Sequence, residues 1–406
     1  MTTPPTTPAP TGTPDGVWDV VVVGGGPAGA STALGALRAD PGLTVLLLDR
    51  EDFPRDKSCG DGIAPHVLDE LASVGVHDVA DGWTPVRDLE LARAGSVVRR
   101  PMHRPAHVIP RAVLDARLVE HAVRAGATLR RHRVREIAVT AAGVVLDGTV
   151  TGRVVVGADG AHSVVRPAVG LRPSPRRALA IRGYAPTPRS VRGRQVIVYG
   201  GRRQPSYAWA FDRGDGLANV GYGELLGRAR AGAAPPSRGL LLEQLDALVP
   251  GVVATGDGWR AHHLPLSQWR FAQPDGPVLL AGDAAGLINP MTGEGIYYAV
   301  ASGIGAGRAA VAALHAGAPA GAGARHRAGL RRLLARHLRH TSVTSRLSTV
   351  PAVVDAGIRA ASADQGSFDD LVEIGLGRGL VTPRLVAGLA RGATTRSAAL
   401  LQPVAP

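Results

Sequence analysis

The segment Gly24-x-Gly26-x-x-Gly29, set between a β-branched run and a small-residue helix, constrains this chain more than any other feature. The run Val17–Val23 reads as a strand buried on both faces of a parallel sheet. A helix to about Ala39 and a second strand over 44–49 complete a β-α-β unit. In such a turn Gly24 permits the tight bend, Gly26 lets a pyrophosphate approach the backbone, and Gly29 allows close helix–strand packing. Pro27 suits a first helical position, where no N–H is needed. Ala28 belongs to the same turn, whose free N–H groups and positive helix end face the phosphates. Asp49 follows Gly29 by twenty residues and is placed to accept hydrogen bonds from ribose hydroxyls. A carboxylate there opposes a 2′-phosphate, so the expected nucleotide is FAD or NAD rather than NADP.

With 406 residues, 45% of them hydrophobic and 19% charged, the chain can bury a core, and its length predicts two or three domains. Cys59 is the single cysteine, which excludes an internal disulfide and a thiolate metal centre. His337 and His340 sit among arginines and read as surface residues. The net charge of +13 is almost all arginine, since Lys57 is the only lysine. Residues 301–350 carry eight arginines and no acid. No nucleic-acid-binding module and no interleaved aromatics accompany that charge, so nucleic acid is not expected as a partner. Residues 1–16 are Pro/Thr-rich and read as a disordered tail, not a signal peptide. The uncharged run from Val20 to Leu37 is broken by three glycines and Pro27, so a buried strand, turn and helix are expected there. A cytoplasmic protein, with membrane association left open, is the expected outcome.

Two later segments repeat the pattern of a buried strand ending in an Asp-bearing, glycine-rich turn, where ligands bind in a doubly wound sheet. One runs through Val156, Gly157, Ala158, Asp159 and Gly160, with Arg166 beyond; the other runs from Gly282 and Asp283 through Pro290, Gly293, Glu294, Gly295 and Ile296. Asp283 is placed for the hydroxyls of a ribityl chain. A helix from Gly295 would point its N-terminus at the pyrimidine edge of a flavin. Between these segments the pattern predicts short strands at Arg194–Tyr199, 207–211 and 218–223. Tyr207, Trp209 and Phe211 alternate, which places all three on one sheet face. Residues 52–102 read as irregular apart from a helix near 65–74, and 111–125 has helical spacing. After a Gly/Ala/Pro linker at 317–323 the chain reads as helical to its end.

These three blocks, in this order, resemble FAD-dependent oxidoreductases of the p-hydroxybenzoate hydroxylase type, and more narrowly the geranylgeranyl reductase branch. The narrower resemblance rests on Phe53-Pro54-Arg55-Asp56-Lys57-Ser58-Cys59-Gly60-Asp61-Gly62, on Gly293-Glu294-Gly295-Ile296-Tyr297-Tyr298, and on Tyr207-x-Trp209-x-Phe211. It covers about Asp19 to Leu314; the last ninety or so residues match no motif. The resemblance implies an α/β fold: a Rossmann-like, doubly wound FAD domain in three segments (17–55, 103–170 and 265–316). An antiparallel-sheet substrate domain (56–102 and 171–264) is inserted between them, and a helical region (317–406) follows. It implies FAD on Gly24, Gly26, Ala28, Gly29, Asp49, Arg50, Cys59, Gly60, Arg111, Asp159, Gly160, Asp283, Pro290, Gly293, Glu294, Gly295 and Ile296. Catalytic candidates are Cys59, Tyr207 and Trp209, and Tyr207, Trp209, Phe211, Tyr222 and Tyr297 would wall an apolar substrate pocket. Asp212 stands where that branch usually has proline, a departure from the branch at the end of its aromatic motif.

The implied activity is reduction of carbon–carbon double bonds in an isoprenoid or other apolar lipid by hydride from reduced flavin. No second dinucleotide fold is evident, so the reductant would be NAD(P)H or a separate electron-donor protein. Two rivals stay open: a monooxygenase of the same fold acting on an aromatic or polyketide substrate, and a non-catalytic flavoprotein binding partner. A halogenase is disfavoured by the missing Trp-x-Trp-x-Ile-Pro pattern. Residues 325–340 read as a helix in which Leu330, Leu333, Leu334 and Leu338 share a stripe edged by arginines, which suits an interfacial helix meeting anionic lipid or a diphosphate headgroup, the alternative being a helix that packs its leucines on the protein and solvates its arginines.

Overall fold

The computed structural model describes residues 16–201, 204–227, 236–269 and 272–399. The Pro/Thr-rich tail, apart from Gly16, and the last seven residues lie outside the described part. The chain opens with β1 (Val17–Val23), α1 (Pro27–Ala39) and β2 (Val45–Asp49). A short strand β3 (Gly62–Ile63), helix α2 (Pro65–Ala72) and a hairpin of β4 (Val86–Arg93) and β5 (Ser96–Val108) follow. Helix α3 (Arg111–Arg124) leads to β6 (Thr128–Arg131), β7 (Ile137–Thr140), β8 (Gly143–Leu146), β9 (Val150–Gly157) and the single turn α4 (Val165–Ala168). Next come β10 (Arg177–Pro186), β11 (Arg194–Tyr199), β12 (Ser206–Asp212) and β13 (Leu217–Leu226). Helices α5 (Arg238–Leu248) and α6 (Val252–Thr255) precede β14 (Asp257–Pro265) and β15 (Val278–Leu280). Five helices end the described part: α7 (Ile296–His315), α8 (Ala322–Leu347), α9 (Pro351–Ala363), α10 (Gln365–Leu376) and α11 (Pro383–Ala399).

Two sheets organise these elements. The first has the order β6-β2-β1-β9-β8-β7, with β15 also pairing β9. Its β1, β2, β6, β9 and β15 pairings are parallel. Val20, Val21 and Val22 are fully buried because helices or loops cover both faces of that centre. Helices α1 and α7 pack on one face almost backbone to backbone: a Cβ on Gly303 would lie 2.2 Å from the Ala28 carbonyl oxygen, and one on Gly307 2.3 Å from that of Thr32. Small residues at this crossing remove the side chains that would otherwise hold the helices apart.

The second sheet has the order β14-β10-β13-β12-β11-β4-β5-β3 and is mixed, with β11 and β4 parallel. The expectation of an irregular 52–102 is corrected here, since β4 and β5 form a long hairpin within that stretch and beyond it. Leu89, Leu91 and Val98 point inward while Arg87 and Arg99 face solvent, an alternation that the arginine content obscures in the sequence. Helix α5 covers one face of the sheet through Leu241 and Leu245. Helices α9 and α10 close over β4 and β5 through Ile358, Ala361 and Phe368.

Candidate functional site

A continuous cavity of about 1130 Å³ runs from the ends of β1 and β2, past the second sheet, to the C-terminal helices. At its polar end Gly24 adopts φ +104°, and a Cβ there would meet the Ala158 carbonyl oxygen at 2.5 Å. A Cβ on Gly29 would fall 1.7 Å from the Gly24 oxygen, which makes glycine obligatory where the helix meets the strand. Gly26 is different: its Cβ would project into the space before helix α1, 3.6 Å from the Arg55 guanidinium and 3.7 Å from that of Arg111. Both guanidinium groups are held by fully buried Asp115, Arg111 through two bonds of 2.6 and 2.8 Å and Arg55 through one of 2.9 Å. This carboxylate raises the Arg111 pKa and keeps the group charged. Asp115 escaped the sequence reading, although its i,i+4 spacing from Arg111 was a usable signal.

Asp49 lies at the same end, buried, accepting from the Gly25 N–H at 2.7 Å and the Glu51 N–H at 2.9 Å. Arg50 lines the cavity from its exposed rim and pairs with Glu51. Asp159 accepts from the Val164 N–H at 2.7 Å, while its other oxygen is buried without a hydrogen-bond partner. Buried Arg166 donates to the carbonyls of Ala161 and Ala284, tying the two later glycine-rich turns together. Gly160 packs near Lys57, whose ammonium group lies 3.5 Å from Asp283. Glu294 caps α7 by accepting the Tyr297 N–H at 2.9 Å, and burial pushes its carboxyl up to about 7. Gly293, Gly295, Ile296 and Pro290 complete this wall.

The loop over 53–62 crosses the middle of the cavity. The second sheet holds it through one network. Trp209 donates its indole N–H to Asn219 at 2.8 Å, and Asn219 donates to the Cys59 carbonyl at 2.9 Å and to Asp61 at 2.8 Å. Tyr184 donates its hydroxyl to the same Asp61 oxygen at 2.6 Å. The other Asp61 oxygen is buried and unpartnered, and burial pushes this carboxyl up to about 6. The Cys59 sulfur accepts the Asp61 N–H at 3.4 Å, and burial pushes the thiol up to about 11. Gly60 packs under Trp209 and Phe211.

Strand register explains which aromatic residues reach the cavity. Tyr207, Trp209 and Phe211 pair with Gly223, Gly221 and Asn219 of β13 and with Tyr199, Ile197 and Gln195 of β11. Directly opposed residues share a face, and of these Tyr207, Trp209, Phe211, Gly223, Tyr199, Ile197 and Gln195 line the cavity together. A Cβ on Gly221 would lie 2.2 Å from the Trp209 ring, so glycine makes the room the indole occupies. Tyr207 donates its hydroxyl to the Thr292 carbonyl.

Two residues expected in the pocket lie elsewhere. Tyr222 opposes Ala208 and therefore faces α5, buried with Leu241 and Leu245, its hydroxyl on Glu224 at 3.1 Å. Tyr297 is buried on the α2 side of α7, its ring 6.0 Å from His66 and 5.4 Å from Tyr298. His337, expected at the surface, is also buried, bonded to the Tyr298 hydroxyl at 2.5 Å and the Gly379 carbonyl at 2.7 Å.

The C-terminal helices, which carry no recognisable motif, are built onto the site. Buried Asn289 donates to the Ile374 carbonyl at 2.8 Å, Thr292 donates to that of Gly375 at 2.8 Å, and Ser345 of α8 donates to that of Pro290. Beyond Trp209 the cavity becomes apolar, walled by Leu91, Ile197, Ile358, Leu371, Ile374 and Leu385. No group of three or more His, Cys, Asp or Glu among the described residues could hold a metal ion.

Residues 17–208 match the FAD binding domain family. The chain is 33% identical over 307 residues to the menaquinone reductase of Mycolicibacterium smegmatis, covering 70% of this chain and 74% of that one. It is 34% identical over 332 residues to the geranylgeranyl diphosphate reductase of Rhodobacter capsulatus, covering 75% and 77%. Among solved structures, a geranylgeranyl bacteriochlorophyll reductase-like protein of Thermoplasma acidophilum superposes with a TM-score of 0.78 at 19% identity, over 95% of this chain and 98% of that one.

Proposed function

The chain belongs to the geranylgeranyl reductase family of FAD-dependent oxidoreductases, and from that premise we propose that it saturates carbon–carbon double bonds of an isoprenoid lipid. The observation that carries the substrate class is the continuity of one cavity from the glycine-rich turns to an apolar chamber. Reduced FAD, when bound, supplies the hydride equivalent for one alkene carbon. The free space at Gly26, the two guanidinium groups held by Asp115, and the unpartnered oxygen of Asp159 fit a dinucleotide's pyrophosphate and hydroxyls. Asp49, Arg50, Arg111 and Asp283 would orient the cofactor, and Gly293 to Ile296 would present the α7 N-terminus to its ring. Tyr207, Trp209 and Phe211 would exclude water from an apolar chain. The polar heads of Tyr207 and Trp209 are already committed to Thr292 and Asn219, so these two act as walls. The reductant comes from outside the chain, as NAD(P)H or a separate electron-donor protein.

The other alkene carbon needs a proton. Asp61 suits that task better than Cys59, because a carboxyl at about 6 is a far stronger acid than a thiol at about 11. The unpartnered Asp61 oxygen is the atom that would hold the proton. Its raised pKa means that the acid form persists to about 6 and is lost as pH rises further. Turnover is therefore expected to fall with rising pH through that region. Asp61→Asn should lower turnover by about a hundredfold and remove that limb, whereas Cys59→Ala should change it less than about tenfold. A pH-independent rate in the unmodified protein, or a hundredfold loss in the cysteine variant alone, would transfer the role to the thiol.

Anaerobic turnover with reduced flavin and polyprenyl substrates tests the reaction class. The expected product gains two hydrogens per reduced bond. Strict oxygen dependence with gain of one oxygen atom would replace the reductase reading with a monooxygenase.

A further inference from the structure

The leucine stripe expected to enter lipid does not reach the surface. Leu330, Leu334 and Leu338 are buried against the protein and Leu333 is partly buried, so residues 325–340 cannot insert as a leucine-faced helix. The opposite face of α8 is exposed and carries Arg325, Arg332, Arg336, Arg339 and Arg346 at helical spacing. Helix α8 contains no acid. Arg327, on the packed side of α8, pairs with Asp275, and none of the five arginines pairs with a carboxylate among the described residues.

At the C-terminal end of the same face the chemistry changes. Val343 and Leu347 of α8 are 53% and 50% exposed, Val386 of α11 is 54% exposed, and all three also line the cavity. Residues that belong both to the surface and to the chamber mark where the chamber opens. Val350, just beyond α8, is 49% exposed and continues the apolar rim.

We propose that this surface docks on an anionic lipid bilayer, with the arginine face of α8 over the headgroups and the rim of Val343, Leu347, Val350 and Val386 entering the acyl boundary. The cavity would then open into lipid, and an apolar chain could pass from bilayer to chamber without crossing water. Charge complementarity selects this occupant: an unpaired row of arginines ending in an apolar tip matches the layering of an anionic membrane surface. A neutral protein groove would leave the arginines unanswered, and a nucleic acid would leave the apolar tip unanswered. The proposal rests on the apolar-lipid reading of the chamber.

Co-sedimentation of the full, FAD-loaded chain with vesicles tests it, in the absence of substrate. Binding is expected to vesicles of phosphatidylglycerol and phosphatidylcholine, not to phosphatidylcholine alone, and should weaken as salt rises. Each arginine near such a surface contributes about fivefold to partitioning. The triple variant Arg332→Glu/Arg336→Glu/Arg339→Glu should therefore bind anionic vesicles at least about a hundredfold more weakly. Its turnover of a short, water-dispersed alkene should equal that of the unmodified protein, because none of the three lines the cavity. Val350→Asp, which leaves the arginines in place, should also weaken vesicle binding. Equal binding to both vesicle types, no binding, full binding by the triple variant, or capture by duplex DNA in place of vesicles would each overturn the docking. Full binding by Val350→Asp would overturn insertion of the rim. A docking failure with reductase activity intact would leave the reading of the chamber standing.

Discussion

Gly26→Val is expected to fold and to purify without the yellow colour of the unmodified protein. A Cβ at position 26 clears the Arg55 and Arg111 guanidinium groups by 3.6 and 3.7 Å, and both belong to flexible side chains that can yield. The branch would instead fill the space in front of α1 where a pyrophosphate approaches the backbone. A displaced pyrophosphate loses charge-assisted hydrogen bonds from the helix N-terminus, each worth about 1.5–3 kcal/mol. FAD affinity should fall by about a hundredfold or more. Gly29→Ala makes the contrast, because its Cβ would lie 1.7 Å from a backbone oxygen. That variant should fail to fold rather than fold colourless. Visible absorbance and a thermal melt with and without added FAD separate the two outcomes. A fully coloured Gly26→Val protein would sink the assignment of this turn to the cofactor.

Arg182→Met is expected to cost about 3–5 kcal/mol of stability. The Arg182 side chain is 1% exposed and bridges β10 to the loop over 53–62. It donates to Asp56 and to the Lys57 carbonyl at 3.2 Å, and its guanidinium stacks 4.7 Å from the Tyr184 ring. Removing it leaves the Asp56 carboxylate with the Lys57 N–H and the more distant Arg260, at 3.5 Å. The same loop carries Cys59 and Asp61, so turnover should fall together with stability. Adding Asp56→Asn should recover part of the loss, because the uncompensated charge is then gone. Denaturant titrations of the two single variants and the double variant give the coupling directly. A cost under about 1 kcal/mol with unchanged turnover would show that the loop is held by Trp209 and Asn219 without Arg182.

The nucleotide half was legible because its chemistry is carried by local pattern. A β-branched strand, three spaced glycines and an acidic strand end leave little freedom, and the structure places Gly24, Gly26, Gly29 and Asp49 together at one cavity end. The alternation of Tyr207, Trp209 and Phe211 was likewise visible, since a period of two is a property of one strand. Tyr222 was misplaced because its face depends on register with β12, which no local pattern fixes. The hairpin of β4 and β5 was hidden because arginines fill its exposed face and mask its alternation. Asp61 and Asp115 were passed over for a different reason. Asp61 matters through Tyr184 and Asn219, 123 and 158 residues away, whereas Asp115 joins nearby Arg111 to Arg55, 60 residues away, and only the first of those two partners is within reach of a local pattern. The C-terminal helices were unreadable as site elements because they contribute apolar walls and backbone carbonyls, which leave no motif.

The glycine crossing of α1 and α7 works as a spacer. Ala28 meets Gly303 and Thr32 meets Gly307, so the two helices run in the same direction with a fixed offset. Relative to that contact α7 extends about six residues further toward the cavity than α1, roughly 9 Å at 1.5 Å per residue. One positive helix end therefore stands at the Gly24–Gly29 turn and the other at the Gly293–Gly295 turn, held apart by a length that neither turn determines. Backbone contact leaves the pair no slack to slide. The spacing between the two turns is thus fixed by a helix junction, and a methyl group added at Gly303 would change the gauge before it changed either end.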